Sequence, residues 1–496
     1  MSIATEISRL QGAKSDLKTS IEGKGVTVPS ATKIDGYAAL VDQIQQGGGG
    51  TTVDPDADVR FFDYDGTLLY TYSAADFANL SELPTNPPHA GLTAQGWNWT
   101  LADAKAYVAS YGILDIGQMY VTDDGKTRAY FSFPQGGRLD LTLRFVQSTA
   151  NGVTLDWGDG SATETFAGTG EKTSSHTYAA AGDYVVTFTV AEGCTLMLGN
   201  YSSFIANTGA TQYPANMALW KIEMGERITE LGWVGPNSNA FCGLKYLTIP
   251  QTVVSSGVRG QVTDCKYLKA LTLPINYETT RQGFTNNWTL QFFSLNKKSK
   301  IFPLTNSCRS LTHLAIPEGY ATVGALSLCE RLEKCAIPSG VASIPDAMRG
   351  LSHLLELRIP TGVTAIVNRA FELTTMLRKV TLPSGLLTIG NSFCSQNMLE
   401  EVVIPDTVTT IGSAFTYPYN LQRLVLGSDL TSITGGFTTL SALKELHISA
   451  TTPPTLSSGA LGGIPADCII YVPSASLSTY QGATNWSTYA SQMVGE

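Results

Sequence analysis

A motif of Leu-x-x-φ-x-φ-Pro, where φ is apolar, recurs along the C-terminal three-fifths of the chain and limits the possible folds more than any other feature. Its closing position advances by 21 to 25 residues per unit. The twelve closing residues are Gly225, Pro250, Pro274, Asn296, Pro317, Pro338, Pro360, Pro383, Pro405, Gly427, Ser449 and Pro473. The apolar positions alternate with others, which predicts one short strand per unit with one buried face. No unit can bury that face alone, so we expect the units to stack into a solenoid.

The middle units carry a second apolar pair after the closing residue, such as Val408 and Ile411. A bulky apolar residue follows in most of these units. These residues are Met348, Phe371, Phe393, Phe415 and Phe437. Each middle unit is therefore predicted to supply a second strand and one large side chain for the core, and Trp486 is expected to lie in a C-terminal cap.

Two segments carry a family resemblance. The sequences "MLEEVVIPDTVTTIGSAF" (398–415) and "IIYVPSASLSTYQGATNWSTYASQM" (469–493) resemble the BspA-type leucine-rich repeats of bacterial surface proteins. The resemblance implies adhesion or ligand binding rather than catalysis.

The whole chain is predicted to be mainly β. It is also predicted to be multidomain, because a chain of 496 residues is too long for one ordinary hydrophobic core. We expect a helical attachment or oligomerisation segment at 1–46 and a Gly-rich linker at 47–55. A small α+β domain at 56–136 and a β-sandwich at 137–195 follow. The leucine-rich-repeat solenoid and its cap would occupy 196–496.

The N-terminal segment has a heptad pattern, in which apolar residues recur at alternating steps of four and three. Its seam comprises Ile3, Ile7, Leu10, Lys14, Leu17 and Ile21. The pattern favours a homo-oligomer, and the alternative is a two-helix hairpin that covers its own seam. A dimer and a trimer both remain open.

The segment 56–136 contains two turn signals and one helix start. "VRFFDYDGTLLYTY" (59–72) predicts two strands joined at Asp65-Gly66, and a second hairpin is expected at Asp124-Gly125. A helix should start at Thr100 and run to about Ser110.

The sequence "FFDYDGT" resembles the opening motif of haloacid-dehalogenase-type phosphatases. In that family Asp63 would be the nucleophile and Asp65 the general acid/base. The family also needs a doubly wound parallel sheet, which does not fit the hairpin pattern of this segment. We interpret the two aspartates as turn residues and keep a phosphohydrolase as a remote alternative.

The segments "LDWGDGS" (155–161) and "HTYAAAGDYVVTFTV" (176–190) closely resemble a PKD domain, which is an immunoglobulin-like β-sandwich. Structural roles are predicted for three residues. Trp157 should pack in the core, and Asp159 with Gly160 should turn the chain. The resemblance implies a spacer or adhesive module with no catalytic residues.

The order of the parts resembles tail-associated proteins of phages and prophages, through residues 1–30 and 96–128. This implies a virion protein, either a tail fibre or a receptor-binding protein, that joins other tail proteins through its N-terminus. Its distal modules would bind a bacterial surface receptor, either glycan or protein. The missing N-terminal export signal agrees with that setting. The alternative is a bacterial cell-surface adhesin.

Composition narrows the function further. The net charge of -9 argues against nucleic acid as the main partner, and no apolar run is long enough to predict membrane insertion. The histidines are scattered over separate modules with no catalytic or metal-binding spacing. We therefore expect a non-enzymatic protein with no cofactor and no metal.

The outward positions of the repeat strands predict two different surfaces. Four residues before the closing position, signs alternate through Lys334, Glu356, Lys379, Glu401, Arg423 and Glu445. This pattern indicates a structural charge ladder between strands. In the earlier units the same column is uncharged and partly aromatic. Tyr246, Phe292 and His313, with Trp288 nearby in sequence, are the predicted binding residues. The alternative is that the preceding domain packs over them.

Overall fold

The computed structural model describes residues 53–199, 203–206, 215–235, 242–254, 262–278, 284, 286–296, 308–319, 323, 326, 328–393, 398–412, 414–415, 419–435, 437 and 440–496. The predicted attachment segment at 1–46, its heptad seam and most of the linker lie outside these residues. Among the helices that are described, none is long and apolar enough to cross a membrane.

A small α+β domain comes first. Its elements are β1 (Val59–Phe62), β2 (Leu68–Tyr72), α1 (Ala74–Ala78), β3 (Leu92–Trp97), α2 (Leu101–Tyr111) and β4 (Leu114–Thr122). The sheet order is β2-β1-β4-β3. Only β1 and β4 run parallel. Helix α2 starts where predicted, because the Thr100 side chain accepts a hydrogen bond from the backbone N–H of Asp103.

A two-sheet sandwich follows the small domain. Its strands are β5 (Thr127–Phe133), β6 (Asp140–Gln147), β7 (Val153–Asp156), β8 (Glu164–Thr165), β9 (Gly170–Thr177), β10 (Gly182–Val190) and β11 (Leu196–Leu198). Trp157 is buried, and Asp159 accepts a hydrogen bond from the Ser161 N–H in the turn with Gly160, whose φ is +84°. The sandwich agrees with an immunoglobulin-like domain, and its assignment as a PKD domain stays a prediction.

The hairpin predicted at Asp124-Gly125 does not form. The chain turns there, but β4 stays in the sheet of the small domain, whereas β5 pairs with β10 of the sandwich. The first element of the predicted solenoid segment, β11, also pairs with the sandwich strand β6. Turn residues specify a change of direction, but the partner of each strand depends on long-range contacts.

The solenoid has the predicted front strand at every one of the twelve repeats. A short helix, α3 (Ala215–Ala218), precedes them. The strands are β12 (Leu219–Glu223), β13 (Tyr246–Thr248), β14 (Ala270–Thr272), β15 (Phe292–Ser294), β16 (His313–Ala315), β17 (Lys334–Ala336), β19 (Glu356–Arg358), β21 (Lys379–Thr381), β23 (Glu401–Val403), β25 (Arg423–Leu426), β27 (Glu445–Ile448) and β29 (Ile469–Val472). The prediction of a mainly β chain with a C-terminal solenoid is confirmed.

The predicted second strands form a sheet of their own. They are β18 (Ser343–Ile344), β20 (Ala365–Ile366), β22 (Thr388–Ile389), β24 (Thr410–Ile411), β26 (Ser432–Ile433) and β28 (Thr455–Leu456). Behind them lies a phenylalanine stack of Phe371, Phe393, Phe415 and Phe437, with successive ring centroids 5.4, 5.4 and 5.9 Å apart. Helix α4 (Leu477–Gly482), the buried Trp486 and strand β30 (Met493–Gly495) close the C-terminal end.

The sandwich and the solenoid share one hydrophobic core. Strand β12, the first repeat strand, pairs with β5 of the sandwich on one side and with β13 on the other. The buried side chains continue without a break from Phe131 in the sandwich to Met493 in the cap. The sandwich therefore caps the N-terminal end of the solenoid and is not a separate domain joined to it by a linker.

Candidate binding surface

The small domain lies directly on the front strands of the solenoid. Strand β4 contacts β14, β15 and β16. The fit is close at Gly117, where an added Cβ would lie 2.0 Å from Thr272 Oγ1. At the far side of the contact, the Tyr107 hydroxyl donates a 2.7 Å hydrogen bond to the Ile316 carbonyl.

Two consecutive residues, Asn98 and Trp99, join the small domain to strand β15 and the turn after it. The Asn98 side chain is fully buried, and its Nδ2 donates to Ser294 Oγ at 2.9 Å and to the Leu273 carbonyl at 3.2 Å. The Trp99 Nε1 donates to the Leu295 carbonyl at 2.9 Å. These bonds satisfy polar groups that would otherwise be buried without partners, so they specify where the small domain docks.

A buried ion pair lies in the same contact. Arg60 and Asp115 are 3% and 4% exposed, and Arg60 Nη2 lies 2.7 Å from Asp115 Oδ2. The remaining terminal nitrogen of Arg60 donates to Thr312 Oγ1 of the solenoid at 3.1 Å. The pair thus connects β1, β4 and the repeat that contains β16.

Two of the four predicted binding residues are covered by this contact. Phe292 is fully buried, and its ring stacks on Phe62 of the small domain at a centroid distance of 4.2 Å. His313 is 2% exposed, next to Arg60. The expectation that these two side chains face a partner is wrong, because the alternative arrangement, a preceding domain packed over the column, is the one that forms.

The burial of His313 predicts that the contact between the small domain and the solenoid is less stable at acidic pH. Desolvation, aided by the charges of Arg60 and Lys334, lowers its pKa from 6.5 to about 2. Below pH 6.5 the unfolded chain binds a proton that the folded chain does not, so stability present above that pH is lost as the pH falls. We expect the urea midpoint to fall more steeply between about pH 7 and pH 5 in the parent than in His313→Phe. Parallel pH profiles of the urea midpoint in the parent and in His313→Phe would contradict this prediction.

The other two predicted binding residues lie at the surface. Tyr246 is half-buried, and its ring centroid lies 6.3 Å from that of Trp220. Trp288 is 38% exposed, with Lys266 Nζ 3.6 Å and Arg309 Cζ 5.0 Å from its ring centroid. These three residues occupy equivalent positions in successive repeats, so the cation–π contacts hold neighbouring repeats in register.

An open cleft of about 840 Å³ lies where the small domain ends. One wall is the C-terminal part of α2, and the other is formed by β17, β19 and β21 of the solenoid. The residues that line it include Val108, Tyr111, Lys334, Glu356, Arg358, Lys379 and Thr381. Its volume falls within the ~300–1,000 Å³ typical of ligand sites.

Part of the predicted charge ladder lies inside this cleft. Adjacent strands place Lys334, Glu356 and Lys379 side by side. However, Lys334 Nζ donates to the Asp56 carbonyl of the small domain at 2.6 Å and lies 3.5 Å from Asp58 Oδ1. Among the described residues, Glu356 and Lys379 form no ion pair, so their charged groups are available to a ligand.

The ladder behaves as a structural element farther along the solenoid. Arg423 forms an ion pair with Glu401 on the preceding strand and lies 3.4 Å from Glu445 on the following one. These groups are two-fifths or more exposed, so each pair is worth at most about 1 kcal/mol.

The sequence contains a signal for the covered surface that the charge column does not show. Two residues before the closing position, the covered repeats have small side chains. These are Thr272, Ser294, Ala315 and Ala336. The next residue in the column is the exposed Arg358, which lines the cleft. Small outward residues permit close docking of another domain, and the change to Arg marks its edge.

The two aspartates of the phosphatase-like motif shape the turn between β1 and β2. Asp65 Oδ1 accepts a hydrogen bond from the Thr67 N–H, and Asp63 Oδ2 lies 2.7 Å from His89 Nε2. Burial raises the pKa of Asp63. The surrounding sheet, with its single parallel pair, differs from the doubly wound sheet of that phosphatase family. Within the described part of the chain, no group of three His, Cys, Asp or Glu residues could hold a metal ion.

A family model described as "BspA type Leucine rich repeat region (6 copies)" matches residues 234–348 and 347–455. The chain carries BspA-type leucine-rich repeats. The BspA-type repeats thus include every strand that lines the cleft. No curated protein matches the chain.

Several solved structures resemble these BspA-type repeats. A leucine-rich repeat protein from Bacteroides ovatus is 15% identical, with 62% of this chain and 79% of that one covered and a TM-score of 0.37. A leucine rich cell surface protein from Faecalibacterium prausnitzii is 21% identical, with 57% and 85% covered and a TM-score of 0.29. The pneumococcal vaccine antigen PcpA is 17% identical, with 60% and 88% covered and a TM-score of 0.27.

Proposed function

We propose that this chain is a non-enzymatic adhesive protein that binds a bacterial surface through the cleft between α2 and strands β17, β19 and β21. The observation that carries the proposal is the convergence of Glu356, Arg358 and Lys379 in an open cleft of about 840 Å³. All three side chains are exposed, and none forms an ion pair among the described residues. A rigid solenoid holds their backbones, so a ligand pays little for ordering the site.

The proposed setting is a phage tail, where the protein would be a fibre or receptor-binding component. The resemblance of residues 1–30 and 96–128 to tail-associated proteins supports this setting. A bacterial cell-surface adhesin is the second candidate, and the BspA-type repeats support it. Immunogold electron microscopy with an antibody to this chain separates the two. Label on virion tails supports the first, and label on intact cell walls without virions contradicts it.

Charge reversal in the cleft tests the proposed binding site. We expect Arg358→Glu/Lys379→Glu to weaken binding of the full chain to bacterial cells by about tenfold or more, because two charged ligand contacts become repulsive. Binding is measured by flow cytometry with fluorescently labelled protein on the host strain.

The matched control is Arg378→Glu, which reverses a charge in the same repeat outside the cleft. It should bind cells like the parent protein. Equal binding by the cleft variant and the parent would show that the cleft is not the adhesive site. Thermal unfolding of all three proteins checks that the folded state is retained, since exposed substitutions change stability by only about 0.5 kcal/mol.

A further inference from the structure

A second depression lies at the junction of the sandwich and the solenoid. It has a volume of about 610 Å³ and shares no lining residue with the cleft beside α2. Its lining includes Ser132, Asp183, Trp220, Gly243, Lys245 and Tyr267. We name it the junction pocket.

Two aromatic side chains line the junction pocket. Trp220 is half-buried and packs against Tyr130 and Tyr246, with ring centroids 5.5 and 6.3 Å away. Tyr267, from the third repeat, is 46% exposed. Both rings line the same pocket, so they are candidate surfaces for an apolar ligand face.

The backbone makes the junction pocket rigid. An added Cβ at Gly243 would lie 2.2 Å from the Met217 carbonyl oxygen, so the second repeat packs directly against the main chain of the first. The Lys245 N–H also donates to the Trp220 carbonyl at 2.9 Å. The pocket is thus shaped before a ligand arrives, which lowers the entropic cost of binding.

The polar groups of the pocket offer both donors and acceptors. Lys245 and Asp183 are exposed and carry opposite charges. Among the described residues, neither side chain forms a hydrogen bond or an ion pair, and the same holds for the Tyr267 hydroxyl. Lys245 can only donate, Asp183 can only accept, and the hydroxyls of Ser132 and Tyr267 can do both.

We propose that the junction pocket binds a neutral saccharide. A sugar ring has a C–H face that packs on aromatic rings, and its hydroxyls need donors and acceptors together. The single cation and single carboxylate cancel, so the pocket has no net attraction for an anion or a cation. The volume lies within the ~300–1,000 Å³ of ligand sites, which suits a short oligosaccharide.

The proposal is tested with the full chain on an array of bacterial surface glycans, together with maltotriose and chitotriose as neutral soluble probes. Affinity for each hit is measured by isothermal titration calorimetry and by quenching of tryptophan fluorescence. We expect at least one neutral saccharide to bind, and Tyr267→Ala to lose about tenfold or more in affinity. Lys245→Met should also weaken binding.

The matched control is Tyr419→Ala, because Tyr419 is 50% exposed and lies outside the pocket. It should bind the saccharide like the parent. The proposal is overturned if no neutral saccharide binds, if only acidic glycans bind, or if Tyr267→Ala binds as tightly as Tyr419→Ala. Saccharide binding by Arg358→Glu/Lys379→Glu should be unchanged, so failure at one site is distinguishable from failure at the other.

Discussion

Replacing Arg60 by Met is expected to lower the free energy of unfolding of the docked small domain by about 3–5 kcal/mol. The substitution leaves the Asp115 carboxylate 4% exposed without its ion-pair partner. It also removes the hydrogen bonds from Arg60 to the Pro55 carbonyl and to Thr312 Oγ1 of the solenoid. Burying a carboxylate without its partner costs far more free energy than the intact ion pair contributes to stability.

The measurement is urea denaturation followed by tryptophan fluorescence, because Trp97 and Trp99 are buried in the small domain and report its unfolding. The control is Arg60→Met/Asp115→Leu, which removes both charges and should recover most of the loss. An unfolding midpoint of the small domain unchanged by Arg60→Met would contradict the role of the pair. So would a double variant no more stable than the single one.

Replacing Phe415 by Ala is expected to destabilise the solenoid by about 3–5 kcal/mol, the usual cost of a large cavity at a fully buried aromatic side chain. Phe415 is fully buried between Phe393 and Phe437 in the phenylalanine stack. Each repeat contacts only its neighbours, so the loss of stability should extend to the adjacent repeats of the stack and should leave the sandwich unchanged.

Hydrogen exchange localises this effect. Amides of β22, β24 and β26 should lose protection in Phe415→Ala, whereas those of β6 and β9 should keep it. Leu387→Ala is the matched control, because Leu387 lies near the same stack in sequence and is 51% exposed. It should change stability by only about 0.5 kcal/mol. Equal hydrogen exchange in the two variants would show that the phenylalanine stack does not stabilise these repeats.

The front surface of the solenoid has a covered part and an open part. Under the small domain, Ala315 and Ala336 belong to a shared core with Phe61 and Tyr107. Beyond its edge, Arg358 and Lys379 face an open cleft. The docked domain therefore covers the front strands β14, β15 and β16 and forms one wall of the proposed cleft site.

The twelve front strands, the second sheet and the phenylalanine stack were determined by the sequence itself, because a strand with one buried face leaves a local period that repeats with every unit. The turn at Asp65-Gly66 and the start of α2 at Thr100 were also determined by local sequence signals. Only the tertiary structure decided that Phe292 and His313 are buried, that β5 joins the sandwich, and where the cleft opens. Those facts depend on contacts such as that between Asn98 and Ser294, which are 196 residues apart in the sequence. No local pattern specifies which outward column another domain will cover.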